Sequence, residues 1–128
     1  MEQARFQELV VRAVQSLPDE FRDRLENVDV VVADFPSPGQ LASTGLGRGQ
    51  TLLGLYQGVP QTRRGRRYGM VAPDKITIFQ KPIEARCRSE DEVASMIYRV
   101  VRHEIAHHFG IGDPRLRELE RGQPPPAT

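Results

Sequence analysis

Near one end of the chain, His103-Glu104-Ile105-Ala106-His107-His108-Phe109-Gly110-Ile111-Gly112-Asp113 follow one another, and their types and spacing suit metal chemistry. On an α-helix, residues four apart lie one turn above each other on one face, about 6 Å apart. His103 and His107 would therefore direct two imidazoles at a single ion, each at about 2.0–2.1 Å. Glu104 sits about 100° round the helix from His103, beside the ion rather than on it. There it can hydrogen-bond an ion-bound water and take its proton. Gly110 lets the chain leave the helix, because a residue without Cβ adopts φ > 0 at little cost. The turn can then bring Asp113 under the same ion as a third ligand. Three protein ligands with one position left to water describe a catalytic site rather than a closed structural one. His108, about 100° from His107, is poorly placed for the same ion and is read as packing or outer support. Arg102 should point away from the histidines.

The element that must carry these residues opens at Ser89-Glu-Asp-Glu92, a capping box with Ser at the cap and Glu three residues on. It reads as a helix from about Asp91 to Phe109, with Val93, Ile97, Val100 and Val101 as its buried stripe. One more turn of that stripe reaches Glu104, His107 and His108, so the ligands are expected to face the protein. Ahead of it, Phe6, Leu9, Val10, Ala13, Val14 and Leu17 repeat every three or four residues, an amphipathic helix over residues 4–17. Pro18-Asp19-Glu20 reads as the first turn of a short helix to about Leu25. Val28 to Ala33 is dense in β-branched residues and predicts a central strand. Asp34 to about Thr51 reads as a long loop that borders the site. Thr51 to Gln57 predicts a second strand, in which Gly54 marks a bulge or a close backbone approach. Lys75 to Gln80 alternates as a half-buried strand would, and Pro82 ends it. Pro114 to Arg121 predicts a short helix held by Leu116 and Leu119, before a Pro-rich tail at 123–128 that should be disordered.

At 128 residues, residues 1–122 form a single expected domain. Charged residues at 27% and hydrophobic ones at 38% describe a globular chain without the bias of disorder. The net charge of +1 gives no general attraction to polyanions, so nucleic acid is not an expected partner. No apolar run is long enough for a membrane span and no secretory leader is seen. The single Cys87 cannot form an internal disulfide, and a cytoplasmic location is expected. Arg63-Arg-Gly-Arg-Arg67 could hold phosphates, but with only Tyr68 beside it to stack a base it is read as a solvated loop.

The chain resembles the minimal zincins, a bacterial metallopeptidase family whose signature here takes the metzincin-like form with Asp113 in place of a third histidine. The resemblance rests on Leu25 to Asp34, Leu52 to Pro60 and Arg102 to Asp113. It implies an α+β fold: a small mixed sheet of three or four strands packed on helices, one of which carries the signature. It implies one zinc ion per chain on His103, His107 and Asp113, with water as fourth ligand, and Glu104 as general base. It also implies peptide-bond hydrolysis, with a sheet edge above the active helix that pairs with an extended peptide or protein substrate. Residues 52–56, with Leu53, Leu55 and Tyr56, are the expected edge, Tyr56 itself being read as a structural tyrosine. No methionine follows Asp113, since the three are Met1, Met70 and Met96, so the floor of the site is not a methionine turn. Two other readings stay open. One is a metal-binding domain that is not catalytic, or that needs a partner subunit to complete its cleft. The other is a metal-dependent endoribonuclease, whose ligand spacing is similar but which lacks a glutamate after the first histidine. An aspartate-containing site also accepts manganese or iron.

Overall fold

The computed structural model describes residues 1–45, 52–58 and 73–110. Its elements run α1 (Gln3–Gln15), α2 (Asp19–Arg24), β1 (Val28–Ala33), α3 (Pro38–Thr44), β2 (Gly54–Gln57), β3 (Asp74–Phe79), α4 (Gln80–Ala85) and α5 (Glu90–His108). This is the expected α+β class, with five helices and a mixed three-stranded sheet among the described residues. The expected helix at 114–121, the tail at 123–128 and the Arg63–Arg67 loop lie outside the described residues.

The sheet order is β1-β3-β2, with β1 parallel and β2 antiparallel to β3. The central strand is therefore β3, and β1 lies at an edge, which corrects the expectation from its β-branched density. That density reports fit to a pleated surface, not place in the order. Asp29 and Val31 of β1 are exposed while Val28, Val30 and Val32 pack on the core. β3 is also not half-buried, because Ile76, Thr77, Ile78 and Phe79 are all enclosed. Pro82 does not end it either. The strand stops at Phe79 and α4 starts at Gln80, with Pro82 in the first turn, where a missing N–H costs little.

Two helix starts show what short-range chemistry decides. Residues 34–51 are not one continuous loop, because α3 occupies part of them. Ser37 Oγ accepts from Gln40 N–H at 3.1 Å, and Gln40 Oε1 accepts from Ser37 N–H at 2.9 Å, a full capping box with proline in the first turn. Gln40 Nε2 also donates to Gln57 Oε1 at 3.2 Å, tying α3 to the end of β2. At α5 the box is only half formed. Ser89 Oγ accepts from Glu92 N–H at 3.1 Å, but the Glu92 carboxylate reaches one residue further back, to Arg88 N–H at 2.6 Å.

One core unites these elements. Phe6, Leu9 and Val10 of α1, Phe21 of α2, Ile76 and Ile78 of β3 and Ile83 of α4 surround Val93, Ile97, Val101 and Ile105 of α5. Each such side chain contributes about 1.5–3 kcal/mol on burial, so α5 is held by its apolar face along its whole length. Arg5 of α1 also clamps the start of α5 through an ion pair to Glu90, while pairing with Glu8. The hydrogen bond from Arg5 holds the Glu90 carboxyl below its usual range, against an opposing effect of desolvation. A depressed carboxyl stabilises the fold above its unfolded pKa of about 4.3, and this is lost as pH falls through the folded value. Glu90→Gln should therefore lower the urea midpoint near neutrality and leave it unchanged in acid. A midpoint lowered equally at both pH values would show that the clamp works through packing.

Gly54 sets the distance between β2 and α5. A Cβ built on it would lie 2.4 Å from Val100 Cγ1 and 3.3 Å from the Thr77 carbonyl oxygen. The close approach expected from a glycine in the strand is thus an approach of the helix. Val100 is β-branched and has one favoured rotamer in a helix, so it cannot simply turn away. Gly54→Ala is expected to cost about 1–3 kcal/mol as overpacking, measured as a shift in denaturation midpoint. A neutral result would mean that the contact yields freely.

Candidate active site

The signature residues occupy the last turns of α5. Ile97, Val101 and Ile105 follow each other at intervals of four and are enclosed, so the residue two places before Ile105 faces the opposite way by about 160°. His103 and His107 are accordingly exposed, which corrects the expectation that the ligands face the protein. Glu104 lies between the two faces and is half-buried. The His103 and His107 rings are parallel within 2°, their centres 6.3 Å apart. Imidazoles one turn apart on an open face are residues of the type that could each give a nitrogen to a divalent ion of zinc's type. Among the described residues no third His, Cys, Asp or Glu completes the set. Asp113, the expected third ligand, lies outside them.

Gly110 has φ 70°, the left-handed value that releases the chain from the helix directly after Phe109. Phe109, exposed at this end, carries the Arg24 guanidinium 5.4 Å above its ring.

Sequence reasoning did not anticipate what β2 does at this site. Phe79 N–H donates to the Leu53 carbonyl at 3.0 Å, and in an antiparallel pair bonded and non-bonded residues alternate. Leu55 is then turned toward β3, while the backbone groups of Gly54 and Tyr56 point to the other side. Among the described residues no strand lies there. Tyr56 N–H instead donates to Glu104 Oε1 at 2.8 Å. One carboxylate oxygen of Glu104 is thereby fixed by the backbone of a residue 48 positions earlier, and among the described residues no hydrogen bond holds Oε2. The Gly54–Val100 contact permits this bond by drawing helix and strand together.

Tyr56 also organises the end of α5. Its ring stacks on His108 with centres 3.7 Å apart and planes within 14°, and its hydroxyl donates to Asp74 Oδ2 at 2.7 Å. His108 is therefore spent on packing against β2. Of the expected edge residues, Leu55 and Tyr56 lie in β2 and Leu53 just ahead of it. Beside this bond a cleft of about 420 Å³ opens between strand and helix. Leu52, Leu53 and Gly54 line one wall. Arg99, Val100 and Arg102 line the other, with His103 and Glu104 at one end. Arg102 lies 5.2 Å over the Tyr98 ring and also borders the cleft.

The family of zincin-like metallopeptidases matches residues 25–123. The chain belongs to that family. The match takes in both β2 and the helix that carries the two imidazoles. The fold also has a likeness among solved structures. A conserved hypothetical protein from Thermo thermophilus superposes with a TM-score of 0.55 at 23% identity, over 85% of this chain and 94% of its own. At that identity the likeness concerns the fold alone. No curated protein sequence matches the chain significantly. Among the described residues no helix is long and apolar enough to cross a membrane.

Proposed function

We propose that this zincin-like chain is a zinc-dependent peptidase, with His103, His107 and Asp113 holding the ion and Glu104 acting as general base. The observation that carries the reading is the pairing of two parallel exposed imidazoles with a carboxylate whose Oε1 is pinned by Tyr56 N–H. The chemistry that zinc supplies in such a site is a water with its pKa lowered to about 7 and Lewis-acid polarisation of a carbonyl. The chain's own residues do the rest. Glu104 Oε2 accepts the proton of the attacking water and delivers it to the leaving amine nitrogen. Tyr56 N–H keeps the carboxylate from rotating while it does so. The outward backbone groups of Gly54 hold an extended peptide by strand addition, and residues 52–56 serve as its edge.

A second reading, that a partner subunit completes the cleft, is favoured by the exposure of both imidazoles. Endoribonuclease chemistry is disfavoured by Glu104, which that family's spacing lacks.

The deciding experiment is metal analysis of the purified protein and its Asp113→Ala variant, followed by peptide-library turnover. About one zinc per chain is expected, weakened in Asp113→Ala, with cleavage by the loaded protein. Stoichiometric zinc without cleavage would favour the non-catalytic or partner-dependent reading. No metal after reconstitution would overturn the site altogether.

A further inference from the structure

We infer that the cleft between α5 and β2 recognises a carboxylate of the substrate through Arg99, on the C-terminal side of the bond that is cut. The inference rests on the proposed peptidase reading and adds to it a substrate class. Arg99 is exposed, lines the cleft, and makes no hydrogen bond or ion pair among the described residues. It stands four residues before His103, so its side chain rises from the same helical face one turn away. Arg102 borders the same cleft and adds to its positive potential.

The direction follows from the packing. Gly54 meets Val100 and Tyr56 meets Glu104, so β2 and α5 run the same way. A peptide added antiparallel to β2, the slightly more stable pairing, runs against both. Its segment beside Glu104 then precedes the segment beside Leu52–Gly54 and Arg99. One helical turn of about 5.4 Å corresponds to one or two residues of extended chain at about 3.3 Å each. The carboxylate therefore belongs one or two residues beyond the scissile bond. An acidic side chain or a free C-terminal carboxylate supplies the same chemistry.

The test uses the zinc-loaded Glu104→Gln protein, in which the amide oxygen can still accept from Tyr56 N–H. It is titrated with short alanine-based peptides carrying Asp, Asn or Lys at one position, each with a free or an amidated C-terminus. Binding is read by NMR at the Gly54 amide and the Arg99 Nε–H. Asp should bind about three- to ten-fold tighter than Asn in the amidated set if a side chain is recognised. Free peptides should bind better than amidated ones by a similar factor if the terminus is recognised. In either case the preference should shrink with salt, vanish in Arg99→Gln and partly return in Arg99→Lys. Equal binding of all peptides, or a preference that survives Arg99→Gln, would overturn the inference. Cleavage by the loaded wild type without acidic preference would sink it and leave the peptidase reading intact. Acid-selective binding at Arg99 with no cleavage would leave carboxylate recognition standing and remove hydrolysis.

Discussion

Glu104→Gln is expected to leave the zinc content unchanged and to lower peptide turnover by about 10²–10⁴-fold, the usual contribution of a positioned general base. The substitution is nearly isosteric, and the amide oxygen can still accept from Tyr56 N–H, so the bond between β2 and α5 persists. What is lost is the capacity of the second position to accept a proton. Because Glu104 is not a proposed ligand, metal analysis separates the two roles in one sample. Turnover equal to wild type would remove Glu104 from the mechanism. Loss of zinc in this variant would instead make it a ligand.

His107→Ala should lose stoichiometric zinc and all metal-dependent activity, while the apo protein keeps its stability within about 0.5 kcal/mol. The second half of this expectation comes from exposure. His107 contributes nothing to the buried stripe of α5, and surface substitutions away from caps and cores are usually near neutral. Wild type should therefore gain stability with added zinc, about 2.7 kcal/mol at a hundred times the dissociation constant, and the variant should gain none. A zinc-dependent rise in Tm retained by His107→Ala would place the ion elsewhere. A fall in apo stability would show that His107 supports the helix.

Which parts of this fold are legible in the sequence depends on the range of the interactions that make them. The helical repeat of α1, the proline-led start of α2 and the glycine that releases α5 are each decided within a few residues. The capping box of α3 is written in Ser37-Pro-Gly-Gln40 just as plainly, but it sits among residues whose composition reads as loop. The position of β1 is hidden for a different reason. Composition records that a strand packs well, and strand order depends on segments far apart in the chain.

For the site, the sequence alone determined which side chains share a helical face and which chemistry they could do. Residues four apart must stack, and Glu104 must stand to one side of His103. The tertiary structure decided the rest. It turned the imidazoles outward, because the core-facing stripe runs through Ile97, Val101 and Ile105. It also placed Tyr56 N–H against Glu104 and brought Arg99 to a cleft with Leu53 and Gly54. Those contacts join residues some fifty positions apart, and they hang on a strand register and on a glycine that admits Val100. Local spacing can name the residues of such a site, but only packing sets what they face.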